Sequence, residues 1–270
     1  MSLVPLTPEV ISRIERFLTR FGVVRMWAAE ALPGNPFGIE TRVFGQSVAT
    51  KIHSPLLRGK NRILGFYPDD VALLPEMLDY FRRDGFRPSL GVPYGAMTQT
   101  LFRQLTEAGM WSGGSGTVPV ATPQSAPELP EGVSIRLSDP SERDLYLSVF
   151  QKAFAGRSEE KPEYAPFQWA EDSLPGARRY IAEVDGIPAG MASFIVAEGI
   201  GFCGTAGVLP EYRGRGIQRA LIQKRLADAS GFGCDLIVAG GSLFSTTYRN
   251  FERAGMIRVP QGMGWADGAI

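Results

Sequence analysis

The chain has 270 residues, 44% of them hydrophobic, which is enough for two domains of ordinary size with buried cores. Lys+Arg and Asp+Glu both total 28, a balance that gives no long-range attraction to nucleic acid or to an anionic membrane. Cys203, Cys234 and the single histidine, His53, offer neither a disulfide framework, nor metal-ligand spacing, nor a paired-histidine mechanism, so no metal is expected.

No transmembrane-length apolar run occurs, and Glu9, Arg13, Glu15 and Arg16 arrive too early for a signal-type segment, so a cytoplasmic location is expected. Thr7-Pro8-Glu9 combines a hydroxyl cap, a proline at the first helical position and an acid in the first turn, which starts a helix. Val10, Ile14, Phe17 and Phe21 continue it at helical spacing, and Gly22 reads as its stop. Residues 41–52, rich in β-branched side chains, read as a strand. Residues 69–83 read as a helix from Val71, Leu74, Leu78 and Phe81, and residues 100–108 as another, stopped by Gly109.

From Trp111 to Gly132 the character changes. Gly113, Gly114, Gly116, Pro119, Pro123, Pro127 and Pro130 crowd a stretch poor in apolar residues, expected to be an interdomain linker without regular structure. A long surface loop within one domain is the alternative. The expected division is a domain over 1–111, a linker over 112–132 and a domain over 133–270.

The second half opens with Val133, Ile135 and Leu137 alternating as a strand, after which Ser138 and Asp139 cap a helix over 141–153. Residues 180–184 and 187–196 read as a hairpin, because Asp185-Gly186 supplies the positive φ of a two-residue turn. A strand over 200–209 runs into Pro210-Glu211-Tyr212. Helix over 217–229, strand over 235–239, helix over 245–254 and a strand from Ile257 follow. This order gives an α+β class, an α/β sandwich of helices on a mixed, largely antiparallel sheet.

Arg213-Gly214-Arg215-Gly216-Ile217-Gln218 sits where a strand gives way to a helix. Two glycines let backbone approach a ligand, and the helix start turns unpaired N–H groups toward one point, a cradle for an anion. Arg213, Arg215 and Arg219 add positive charge and bidentate donors. The run lacks the order of a P-loop and the three glycines of a dinucleotide fingerprint. A solvated basic turn is the plain alternative.

Residues 208–217, Val-Leu-Pro-Glu-Tyr-Arg-Gly-Arg-Gly-Ile, resemble the acyl-CoA signature of the GNAT acyltransferase superfamily, [RQ]-x-x-G-x-[GA]. Arg213 and Gly216 match it, while Gln218 stands where glycine or alanine is usual. Asp185-Gly186-Ile187-Pro188-Ala189-Gly190 resembles that family's second-to-third-strand hairpin, and residues 250–256 the end of its last conserved helix. The resemblance covers about half of the chain.

It implies acetyl-CoA as acyl donor and a direct attack on the thioester by an amine of a small molecule or peptide. CoA would lie between the strands ending near Leu209 and Ala239. Val208, Leu209 and residues 213–219 (Arg213, Gly214, Arg215, Gly216, Ile217, Gln218, Arg219) would hold it, with the Val208 amide as oxyanion donor. The family's usual tyrosine acid is Phe251 here. Tyr248, one turn earlier, is the substitute candidate against a packing role, and Glu198 and Glu211 are the candidate bases nearest in sequence. Cys203 reads as packing rather than as a nucleophile. Trp27, Phe37 and Trp169 are candidates for lining an acceptor pocket or filling cores. A non-catalytic CoA-binding module is the rival reading. Nucleic-acid binding by residues 213–219 is disfavoured, since no aromatics interleave the arginines. The oligomeric state is not legible.

The first half carries a trace of the second. Residues 101–110 align without a gap on 247–256, with Arg103/Arg249, Ala108/Ala254, Gly109/Gly255 and Met110/Met256 identical. Phe66-Tyr67-Pro68 then matches Val208-Leu209-Pro210, but Asp69-Asp70 stands in place of the glycine loop, and paired carboxylates would repel a diphosphate. A degenerate GNAT-like first domain with one CoA site in the chain is expected. Its shortfall in length should fall at the start of its helix.

Overall fold

The structure, a computed structural model, describes residues 6–57, 60–126, 128–241 and 245–268. Two compact units are present, one of residues 118–259 and one of residues 6–117 with 260–268.

In the unit built from the first half, α1 (Pro8–Glu30) starts as expected, Thr7 Oγ1 accepting the Val10 N–H at 3.3 Å. It does not stop at Gly22. A lone mid-helix glycine costs only about 1 kcal/mol, and the buried stripe of Ile14, Phe17 and Phe21 continues through Met26 and Ala29. The strand expected over 41–52 is a hairpin of β1 (Ile39–Phe44) and β2 (Ser47–Ile52), turned at Gly45 with φ 59°. β3 (Arg62–Leu64) pairs antiparallel with β2 and parallel with β4 (Ser89–Val92). A 3-10 turn, Pro68–Leu73, runs directly into α2 (Leu74–Arg82) between them, and α3 (Gln99–Glu107) follows β4.

β5 (Met110–Ala121) occupies the first half of the expected linker, which is a correction. Its glycines and proline lower strand propensity, but pairing and the burial of Val118, Val120 and Ala121 override that weak preference. Residues 122–126 and 128–132 carry no helix or strand, and Pro127 lies outside the described residues.

The second unit contains β6 (Val133–Leu137), α4 (Arg143–Ala153), α5 (Ala165–Asp172), β7 (Ala177–Val184), β8 (Ile187–Ala197) and β9 (Ile200–Val208). α6 (Ile217–Asp228), β10 (Leu236–Ala239), α7 (Thr246–Arg253) and β11 (Ile257–Asp267) complete the chain. β6, β7, β8 and β9 form an antiparallel meander, and β10 adds parallel to β9. Asp185 and Gly186 turn the β7–β8 hairpin with φ of 50° and 78°, as the Asp-Gly pair requires. The core lies between α6 and this sheet, where Tyr180, Phe194, Leu221, Leu226 and Ile237 are fully buried.

The expected boundaries are replaced by cuts inside two strands. β10 pairs antiparallel with Val120 and Ala121 of β5, and β4 pairs antiparallel with residues 263–266 of β11. The unit of residues 118–259 therefore includes residues 118–121 of β5, and the unit of residues 6–117 includes residues 260–267 of β11. The unit boundaries fall after Thr117 and after Val259.

The two units repeat one order: β3–α2–β4–α3–β5 matches β9–α6–β10–α7–β11. β3 and β4 are parallel, as are β9 and β10. Gly109 and Gly255 close α3 and α7 with φ of 84° and 88°. The shortfall is not at the helix start: α2 has 9 residues where α6 has 12. What differs at that start is chemistry, because the first unit has no glycine between its 3-10 turn and α2.

Candidate functional site

β9 carries the geometry that a ligand could use. Among the described residues it pairs with β10 only from Ile200 to Cys203, opposite Leu236 to Ala239. Beyond Cys203, residues 206–208 pair with β8 and residues 204–205 fall in a register shift, so among the described residues the other edge of 204–208 is open. A register shift against β8 between Ala192 and Phe194 places a bulge at that departure, which bends the strand. Leu209 N–H donates to Ala189 O at 2.9 Å on the β8 side. Successive amides alternate along a strand, so the Val208 N–H faces the open edge.

Gly207 sets the depth of this edge. A Cβ there would lie 2.7 Å from Ala153 Cβ, so only glycine lets the end of α4 approach β9 this closely. Beyond Val208 the chain makes a 3-10 turn, Pro210–Tyr212, and enters the glycine loop. Gly214 and Gly216 hold φ of 81° and 78°. Gly216 is the N-cap of α6, makes no side-chain cap hydrogen bond, and its carbonyl accepts the first helical bond from Ala220 N–H at 3.0 Å. The N–H groups of Ile217, Gln218 and Arg219 precede that bond, and space around Gly214 is open for 4 Å. An anion fits such a cradle.

The arginines divide their tasks. Arg213 Nη2 donates to Ala153 O at 2.9 Å and its Nε to Val208 O at 3.2 Å. Its side chain ties the loop to α4 and β9 through two of its donors while remaining exposed. Arg215 is exposed, its guanidinium 5.5 Å from the Tyr212 ring centroid, and Arg219 is exposed on the first turn of α6.

The candidate acid and bases are not gathered at the open edge. Glu198, with φ 54°, is in the β8–β9 turn at the opposite end of β9. At about 3.3 Å per residue the strand over 200–209 puts about 30 Å between that turn and Leu209, so Glu198 is not brought to the open edge. Glu211 is exposed in the 3-10 turn, on the loop side of Val208. Tyr248 is 1% exposed on α7, with Arg258 5.4 Å from its ring centroid, and Phe251 is in the core beside Ala254. Cys203 is buried, and burial raises its thiol pKa, consistent with packing. Phe37 is buried in its core, Trp27 is half exposed, and Trp169 is flanked by Arg143 and Arg179 at 5.3 and 4.7 Å.

A buried polar cluster behind β9 was missed by the sequence. Asp172, fully buried at the end of α5, accepts from Tyr146 Oη and from Gln168 Nε2 on the same oxygen, each at 2.8 Å. Gln168 Oε1 accepts in turn from Thr205 Oγ1 at 3.2 Å. Burial, reinforced by the charge of neighbouring Glu171, pushes the Asp172 carboxyl up to about 7. From the α6 side, fully buried Arg225 donates to Ser193 O at 3.0 Å and Gly204 O at 3.4 Å, pinning the bulge. These residues come from five elements, α4, α5, β8, β9 and α6, and no short sequence window brings them together.

Among the described residues no group of three or more His, Cys, Asp or Glu could hold a metal ion. No described helix is long and apolar enough to cross a membrane.

The Acetyltransferase (GNAT) family profile matches residues 143–251. Mycothiol acetyltransferase of Thermobispora bispora is 34% identical over 131 residues, a match spanning 44% of this chain and 44% of that protein. Among solved structures, a GCN5-related N-acetyltransferase from Kribbella flavida is similar over 93% of this chain and 96% of its own, with TM-score 0.61 and 17% identity. A tandem GNAT protein from the clavulanic acid biosynthesis pathway is similar over 90% and 86%, with TM-score 0.61 and 14% identity. These likenesses show the fold, and their coverage extends it to both units, the first being a second GNAT-like domain. The open edge of β9 and its glycine loop both lie within residues 143–251, the part of this chain that matches the GNAT acetyltransferase family.

Proposed function

We propose that the second unit transfers acetyl from acetyl-CoA to an amine of a small molecule or peptide by direct attack. The observation that carries the reading is the open edge of β9 running straight into the capless N-terminus of α6. The diphosphate rests on the amides of residues 214–219, with Arg215 and Arg219 supplying charge. The pantetheine arm pairs along 204–208. The Val208 N–H donates to the oxyanion of the tetrahedral intermediate, the kind of preorganised donor that carries much of acyl-transfer catalysis. The amine attacks as its free base; as the tetrahedral intermediate collapses, the C–S bond breaks, the nitrogen gives up one proton to water, and the CoA thiolate, whose thiol pKa is roughly 8.5, leaves without a strong acid and is protonated from solvent. Burial of Tyr248 favours its packing role over an acid's. Glu211 stands on the diphosphate side of Val208, which argues against a base's role.

Burial of Tyr248 and the core position of Phe251 favour one rival, a module that binds CoA without turning it over. Thiol release from acetyl-CoA, measured with glucosamine, spermidine and lysinamide, separates the two. Amine-dependent release supports the transferase. Tight acetyl-CoA binding with no release from any of the three supports the rival.

A further inference from the structure

The buried cluster behind β9 has a defined polarity. The carboxylate oxygen of Asp172 can only accept from Gln168, so the Gln168 amide must turn its NH2 toward Asp172 and its oxygen toward Thr205. The Tyr146 hydroxyl donates to that same oxygen and holds it in place. The other carboxyl oxygen, Oδ1, has no partner among the described residues, so a proton taken up there leaves the first oxygen accepting from Gln168 and the orientation unchanged. Thr205 must then spend its one O–H on Gln168 Oε1. The lone pairs left on Thr205 Oγ1 can only accept.

Thr205 is half-buried and stands on the stretch of β9 that has left β10, three residues before Val208. Its hydroxyl is on the face that carries α5, since Gln168 belongs to that helix. The bulge that presents it is held from the other face by Arg225. A hydroxyl fixed as an acceptor at the open edge selects a ligand group that donates.

We propose that Thr205 Oγ1 is an acceptor-side contact of the transferase, receiving an N–H of the incoming amine. Gln168 and Asp172 are positioning residues that fix its polarity. The inference rests on the acetyl-transfer reading and deepens it: the site favours amines that carry an N–H to donate over tertiary amines, which have none. Thr205 does not take the proton; it orients the nitrogen lone pair by engaging one of its hydrogens.

The experiment measures KM and kcat for glucosamine, spermidine and lysinamide at saturating acetyl-CoA, with acetyl-CoA affinity measured separately by calorimetry. Thr205→Val, an isosteric loss of the hydroxyl, is expected to raise the KM of each amine that the wild type uses at least tenfold. Acetyl-CoA affinity should stay within twofold. Thr205→Ser, which keeps the acceptor oxygen, should recover most of the loss. Gln168→Leu removes the acceptor that holds the Thr205 O–H and leaves it free to donate outward; it should reproduce the Thr205→Val phenotype although Thr205 itself is intact. Amine KM unchanged in Thr205→Val overturns the proposal while the transferase reading stands. Equal loss of acetyl-CoA affinity and amine KM overturns it too, by showing a structural role. Wild-type protein that binds acetyl-CoA and acetylates none of the three amines overturns both readings together. The Thr205 pair decides the matter even where Gln168→Leu fails to fold.

Discussion

Two residues carry opposite kinds of constraint. Gly216 is required by conformation and by approach: it holds φ 78° and caps α6 with its backbone alone. Gly216→Glu places a carboxylate where the diphosphate would rest, and should weaken acetyl-CoA at least tenfold, about 1.4 kcal/mol. Its circular dichroism spectrum should match wild type; unchanged affinity in calorimetry would move the anion site elsewhere. Asp172 is constrained by electrostatics. Its carboxyl is raised to about 7 by burial and by Glu171, so the folded chain holds a proton that the unfolded chain releases near pH 4. Between those values the native state binds more protons, and stability falls as pH rises. Asp172→Asn removes that dependence. Its melting temperature relative to wild type should climb between pH 5 and pH 8, and a flat difference would show that the buried carboxyl does not titrate there. Arg179, Glu171 and Tyr146 surround the group, but only Glu171 pushes it in the same direction as burial.

At the scale of elements, the same strand–helix–strand–helix order serves two purposes. In the second unit the turn after β9 opens into glycines, while in the first the turn after β3 is closed by Asp70. That carboxylate is 3% exposed and accepts from Ser47 Oγ at 2.7 Å and Gln46 N at 3.0 Å, bracing the β1–β2 turn. Beside Asp69 in the sequence, Asp70 is expected to repel a diphosphate; in the structure it is a bond acceptor in its own core. Asp70→Ala should destabilise the protein by about 1–3 kcal/mol, as a buried hydroxyl and an amide lose their acceptor. Denaturant midpoints would show it, and acetyl-CoA affinity should not change. Elements with local signals were legible: the Asp185-Gly186 turn, the Thr7 cap and the glycine loop each depend on residues adjacent in sequence. β3 and β4 were not, being three and four residues long. α5 was missed because its short helix buries Gln168, Glu171 and Asp172 rather than an apolar stripe. The Asp172–Gln168–Thr205 line was invisible for the same reason, since burial of polar residues depends on partners far away in the chain.

For the whole molecule, duplication explains why one chain carries two similar folds and one anion cradle. Packing and ligand contacts use different positions, so a copy can keep Leu105 and Met110 buried as Phe251 and Met256 are, yet lack the glycines of residues 214 and 216. The unit of residues 118–259 takes residues 118–121 of β5, and the unit of residues 6–117 takes residues 260–267 of β11, so neither half of the sequence holds all of its own core. Chain cut between residues 121 and 133 should therefore yield two fragments that unfold at lower denaturant than the intact protein, each lacking a strand; two fragments as stable as the parent would refute this. The central claim is that a single site, at residues 208–219, binds the acyl donor. Calorimetric titration of the intact chain with acetyl-CoA tests it most directly. One equivalent per chain, abolished or weakened at least tenfold by Gly216→Glu, is the predicted result; two equivalents, or no binding, would contradict it.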